Sequence, residues 1–163
     1  MSPNKTYYLC GFMGSGKSTI LKNLIMKQNV FGYDLDSIIE NRYGDISEIF
    51  INKGEKYFRE IEEEVFFEFF KKPQLFSLGG GSIENKNILK ALVDSGTSIY
   101  LKNDFETLWN FIEKSDRPLV KLGKVELQSL FVKREENYKK LNMILDANDL
   151  IQCEKKITTL MGI

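Results

Sequence analysis

Histidine is absent from all 163 residues. That excludes a histidine general base, a Ser-His-Asp triad and a histidine-ligated zinc centre. Chemistry is left to carboxylates, lysine, arginine, backbone amides and a hard metal ion. Cysteine is scarce: Cys10 and Cys153 match no metal-ligand spacing and give no disulfide framework. Neither sign of charge is in excess, since 23 Lys+Arg face 23 Asp+Glu and the formal net charge is zero. With no basic stripe either, a nucleic-acid partner is not expected. No apolar run approaches the roughly 20 residues that span a bilayer, so no membrane partner is expected. Repeats and low-complexity stretches are also lacking. Met1–Lys5 shows no secretory-leader pattern, and a cytoplasmic protein is expected. The hydrophobic share is 42%, enough for a core. The length suits one α/β domain of roughly 100–200 residues, spanning 1–163.

Apolar patterning alternates between strand and helix. Strands are expected at Thr6–Cys10, Val30–Asp34, Gln74–Leu78, Thr97–Leu101 and Met143–Asp146. Helices are expected at Lys17–Gln28, Ser37–Tyr43, Ile46–Lys53, Lys56–Lys71, Asn85–Ser95, Phe105–Glu113, Glu126–Leu141 and Glu154–Met161. This alternation predicts a parallel sheet covered on both faces, with ligands at the carboxyl ends of the strands. Ser115–Lys124 is polar, contains Pro118 and Gly123, and reads as a mobile loop.

Gly11-Phe12-Met13-Gly14-Ser15-Gly16-Lys17-Ser18 satisfies G-x-x-x-x-G-K-[ST] between a strand and a helix. Glycines let the backbone approach phosphate oxygens, and successive N–H groups form an anion nest at a helix N-terminus. Lys17 would reach the β- and γ-phosphates, and the Ser18 hydroxyl would ligate Mg²⁺. The motif names a nucleotide site, not a reaction.

Asp34-Leu35-Asp36 follows at the end of the second expected strand. Strand alternation would put both carboxylates on one side, where one serves a metal and the other an acceptor hydroxyl. The competing reading makes Asp36 the N-cap of the next helix. Arginines number four: Arg42, Arg59, Arg117 and Arg134. The planar guanidinium matches the two oxygens of a carboxylate or phosphate. Arg59 has Glu62 and Glu63 three and four residues on, as a surface ion pair or as a held carboxylate receptor. Arg117 precedes Pro118 in the suspected loop, where a cation would close over a transferring phosphoryl group. Arg134 on its own reads as a solvated helix residue. Gly79-Gly80-Gly81 adds no side-chain packing, which points to a ligand close to the backbone rather than a plain turn. Ser77, just before it, is a candidate for the magnesium water shell.

Taken together these segments resemble shikimate kinase over essentially the whole chain. The resemblance is carried by Gly11–Thr19, Phe31–Glu40, Ile49-Phe50, Gly54–Glu62 (Gly-Glu-x-x-Phe-Arg-x-x-Glu), Gly79–Gly81, Arg117-Pro118-Leu119, and Lys133-Arg134 with Tyr138. It implies a nucleoside-monophosphate-kinase-like fold, with a five-stranded parallel sheet in order 2-3-1-4-5 flanked by helices. It implies an acceptor-binding segment at about 34–62 and a lid at about 114–125. The activity implied is ATP-dependent phosphorylation of the 3-hydroxyl of shikimate, a step of aromatic amino acid biosynthesis, with Mg²⁺ as cofactor. ATP would be bound by Gly14, Ser15, Gly16, Lys17, Ser18, Thr19 and Arg117. Shikimate would be bound by Asp36, Phe58, Arg59, Gly80, Gly81 and Arg134, with Glu62 supporting Arg59. Lys17, Asp36 and Arg117 would be catalytic, and Ser18 and Asp34 would hold the metal, Asp34 through water. A monomer is expected.

Family members commonly carry an arginine near the adenine, ahead of the lid. Leu108-Trp109-Asn110-Phe111 has none, so Asn110 or Trp109 is the expected base contact. The lid also reads as short. Two rivals remain: a related small-metabolite kinase such as a gluconate kinase, and a non-catalytic nucleotide-binding module. A nucleotide-switched partner protein would need a guanine-reading Asn-Lys-x-Asp element, which is absent.

Overall fold

Five short segments, each followed by an amphipathic stretch, form strands with helices on both sides; the three central ones are buried and the two edge ones only partly. The computed structural model describes residues 5–163. Strands β1 (Tyr7–Cys10), β2 (Gly32–Asp34), β3 (Leu75–Ser77), β4 (Ser98–Lys102) and β5 (Met143–Asp146) form one sheet in the order β2-β3-β1-β4-β5. Every neighbouring pair is parallel. The expected order is observed. The helices are α1 (Lys17–Gln28), α2 (Leu35–Tyr43), α3 (Ile46–Lys53), α4 (Glu55–Phe69), α5 (Lys86–Ser95), α6 (Phe105–Ile112), α7 (Lys124–Tyr138) and α8 (Leu150–Met161).

Strand alternation divides the interior in two. Tyr8, Cys10, Phe76 and Tyr100 face a core completed by α2, α4, α6 and α7. Leu9, Leu75, Ile99 and Leu101 face the other core, with Ile20, Leu21 and Leu24 of α1 and Cys153 and Ile157 of α8. The first core is strongly aromatic: Phe66 stacks on Phe76 at 5.9 Å and Tyr8 on Phe70 at 5.5 Å. Because β1 is central, its end opens between those of β3 and β4. The register sets Leu9 beside Ser77 and Ile99, and Asp34 beside Ser77. Topology reverses there, so a crevice forms at that edge.

Several boundaries differ from expectation. Helix α2 starts at Leu35, and its N-cap is Asp34, whose Oδ1 accepts from Ser37 N at 2.9 Å. Asp36 is therefore neither the cap nor a strand residue, and strand alternation does not relate the two acids. Helix α4 ends at Phe69, ahead of Lys71 at φ 64. Helix α8 begins four residues early because the Asp149 side chain caps it, accepting from Gln152 N at 3.1 Å. Ser115–Lys124 is more ordered than a loop: Pro118–Leu122 forms a short helical turn, and α7 begins at Lys124 with Gly123 as its N-cap.

Candidate active site

The segment Gly11–Ser18 runs from β1 into α1. Gly14 and Gly16 have φ of 80 and 101, the left-handed region that side chains avoid. Space is short as well: a Cβ on Gly14 would stand 2.7 Å from Ile112 Cγ2, and one on Gly16 would overlap Leu150. Gly16 caps α1 without a side-chain hydrogen bond, leaving the helix N–H groups free for an anion. Lys17 Nζ donates to the carbonyls of Gly11 and Phe12 (3.1 Å to Phe12) and to Ser15 Oγ at 3.3 Å. Burial pulls its pKa down to about 8, against the opposing pull of the carboxylates of Asp36 and Asp34.

Asp36 occupies the first turn of α2, where a negative charge suits the helix dipole. Even so its carboxyl is pushed up to about 7, by burial first and then by Asp34 and Glu62, with Lys17 opposing. It lies against the triple glycine. A Cβ on Gly79 would stand 2.8 Å from Asp36 Oδ1, one on Gly80 3.4 Å from Arg134 Nη1, and one on Gly81 would overlap the Arg59 guanidinium. None of the three has a left-handed backbone. Gly79 and Gly81 leave room for the carboxylate of Asp36 and the guanidinium of Arg59, while at Gly80 the Arg134 guanidinium is at ordinary contact distance.

Arg59 is partly buried, and its guanidinium covers the Phe58 ring at 5.2 Å. Its Nη1 donates to both oxygens of Glu62, at 2.9 and 3.1 Å. Glu62 is 1% exposed and also accepts from Ser82 Oγ at 2.9 Å. Burial would lower the Arg59 pKa, but Glu62 and Glu55 reverse the net shift upward. The Glu62 contact that the held-receptor reading of Arg59 requires is present. Arg134 corrects its own reading: it is 5% exposed, not solvated. Arg42 is a surface ion pair with Glu68 at 2.6 Å.

Lys17, Asp36, Phe58, Arg59, Glu62, Gly79–Gly81 and Arg134 line one cavity of about 980 Å³. The phosphate loop, Ser18 and Thr19 form its floor. Asp34, Asp36, Phe58, Arg59, Glu62, the glycine run and Arg134 lie on one side. Arg117 and Leu119 close the rim. On the far side stand Asn103, Thr107, Phe111, Asn148 and Leu150. Trp109 and Asn110 do not line it: Trp109 packs on the aromatic core and Asn110 is exposed. Phe111 borders the cavity instead, with 77% of its surface still exposed.

Oxygen donors suited to magnesium are present. Asp34 has one carboxylate oxygen outside its capping bond, Ser18 carries a hydroxyl, and Ser77 Oγ is buried without a hydrogen-bond partner. One or two protein oxygens with phosphates and waters are the usual magnesium set. No cluster of three or more His, Cys, Asp or Glu exists among the described residues. Cys10 and Cys153 are free and buried, and burial pushes the Cys10 thiol up to about 12.

Sequence reasoning missed Glu84, Leu150 and the far-side residues. Glu84 carries no motif signal, since its partners Lys133 and Arg134 lie about fifty residues away.

The family profile described as shikimate kinase matches residues 13–161. The chain is 43% identical over 134 residues to a shikimate kinase of Dictyoglomus turgidum, covering 76% of each. A crystal structure of shikimate kinase from Bacteroides thetaiotaomicron superposes with TM-score 0.84 at 26% identity, over 98% of this chain and 99% of that one. A shikimate kinase of Acinetobacter baumannii in complex with shikimate gives TM-score 0.84 at 27% identity, over 98% and 94%.

Proposed function

The chain belongs to the shikimate kinase family, and from that premise we propose that it transfers the γ-phosphoryl group of ATP to the 3-hydroxyl of shikimate. The observation that carries the reading is the convergence of Asp36, Arg59 and Arg134 on three consecutive glycines, in the same cavity as Lys17. A carboxylate receptor and a hydroxyl receptor side by side suit a small hydroxylated acid.

In this reading the loop amides, Lys17, Ser18 and Thr19 hold the triphosphate. Magnesium would be held by Ser18 and, through water, by Asp34, and it neutralises charge on the phosphate oxygens when bound. Arg59, fixed by Glu62 and backed by Phe58, meets the acceptor carboxylate together with Arg134. Gly80 and Gly81 present backbone to the ring. Asp36 accepts the hydrogen bond of the reacting hydroxyl. Its oxygen forms the new bond to phosphorus as the bond to the ADP oxygen breaks, and Asp36 takes the proton late. A pKa raised to about 7 suits that role near neutral pH. Arg117, on the lid, balances charge on the transferring group. Asn103, Thr107, Phe111 and Asn148 are the candidate base contacts.

We read 1–163 as one kinase domain that acts as a monomer. No described helix is long and apolar enough to cross a membrane. Two free thiols support action in a reducing compartment such as the cytoplasm. The test is ADP release, coupled to an indicator reaction, with and without shikimate. Release that shikimate does not stimulate refutes the proposal, and gluconate in a parallel arm addresses the nearest rival.

A further inference from the structure

Arg134 is nearly sealed from solvent, so its guanidinium donors must find partners. Its Nε donates to Glu84 Oε2 at 3.0 Å. Glu84 belongs not to α7 but to the short turn Ser82–Glu84 directly after the third glycine. Its other oxygen lies 3.0 Å from Lys133 Nζ. Burial alone would raise the Glu84 pKa, but Lys133 and Arg134 outweigh it and hold the carboxyl below its ordinary value. Two more bonds tie the same strip to the same helix: Asn137 Nδ2 donates to Ile83 O at 3.2 Å, and Tyr138 OH to Gly80 O at 2.5 Å. With Nε held, the guanidinium plane is set, and Nη1 stands beside Gly80 on the cavity side.

We propose that Glu84 is a positioning residue for acceptor recognition: it grips Arg134 by Nε so that the two Nη groups meet the acid as a fork. The inference rests on the reading of Arg134 as part of the carboxylate clamp. A simple charge argument points the other way, since a carboxylate beside an acid-binding site should repel the acid. Here Lys133 and Arg134 together more than cancel that charge, so fixing the fork outweighs the repulsion.

The test is shikimate binding by calorimetry, with steady-state kinetics, on Glu84→Ala, Glu84→Gln, Arg134→Ala and Glu84→Ala/Arg134→Ala. Glu84→Ala should weaken shikimate binding and raise its KM roughly tenfold, the scale of one charge-assisted hydrogen bond. Both kcat and the KM for ATP should stay within about twofold, since neither reports on this fork. Glu84→Gln, which keeps an oxygen for Nε, should recover most of the loss and leave about threefold. In the Arg134→Ala background, removing Glu84 should add nothing. If Arg134→Ala weakens shikimate binding but Glu84→Ala does not, the clamp stands and this inference falls. A Glu84→Ala loss that persists in full without Arg134 also overturns it. If Arg134→Ala leaves shikimate affinity unchanged, clamp and inference fall together. Should the alanine variant not fold, Glu84→Met, which keeps the length of the side chain but offers no oxygen to Nε, replaces it in the cycle, and an unchanged affinity there is the refuting result.

Discussion

Asp36→Asn should make the protein more stable at neutral pH while removing its phosphoryl transfer. Folding displaces the Asp36 pKa from 3.8 to about 7, chiefly by burial and then by Asp34 and Glu62. In the unfolded chain the group ionises near about 3.9. Between those values the folded protein holds a proton that the unfolded chain has released. Stability relative to a residue that does not titrate is therefore retained below about pH 4, lost as pH rises toward about 7, and constant above that. At about 1.4 kcal/mol per pH unit, the displacement amounts to at most about 4 kcal/mol. Local relaxation reduces it, so a gain of about 2–4 kcal/mol is expected at about pH 8. The assay is urea unfolding of both proteins at several pH values. Other titrating groups cancel in the difference, which should widen by about 2 kcal/mol between about pH 5 and pH 8. A difference that stays flat refutes the reasoning, because Asp36 would then ionise in the fold as readily as in water. ATP binding should survive the substitution, as the phosphate loop is untouched.

Lys17→Ala should lower turnover by roughly 10³-fold or more, since the charge acts in a water-poor site. In the wild type, kcat/KM for ATP should fall above about pH 8 as Lys17 loses its proton, and a limb that stays level to about pH 10 would contradict its depressed pKa. Gly81→Ala should displace Arg59 and raise the shikimate KM at least about tenfold with the ATP KM unchanged; an unaltered shikimate KM would show that Arg59 does not need that space. Phe111→Ala should raise the ATP KM several-fold by removing an apolar wall of the cavity, and equal ATP affinity would take Phe111 out of the base site.

What sequence made legible was whatever is encoded locally. The phosphate loop announces itself because glycine, lysine and hydroxyl must sit at fixed spacing between a strand and a helix. Strand order came through the family resemblance, while the Arg59–Glu62 pair could be read from helical spacing. Asp36 was misplaced because two capping acids two residues apart compete for one helix start, and only the fold decides between them. Arg134 read as solvated because burial against the glycine run depends on α7 crossing a segment fifty residues earlier. The glycine run itself was read as making room for a ligand. Its first neighbours turn out to be three of the protein's own side chains, and no local pattern reveals that.

The sheet acts as a party wall between two workshops. Helix α1, which leads out of the phosphate loop, is rooted in the core on one face through Ile20, Leu21 and Leu24. Helices α2, α4 and α7, which carry the acceptor receptors, are rooted in the other through Leu35, Phe58 and Phe131. Substitutions that share no partners tend to act independently. Repacking around α1 and α8 can thus alter the grip on the nucleotide while leaving the acceptor helices alone, whereas the aromatic side reaches both, because Phe12 of the phosphate loop packs on Phe131 of α7 at 5.4 Å.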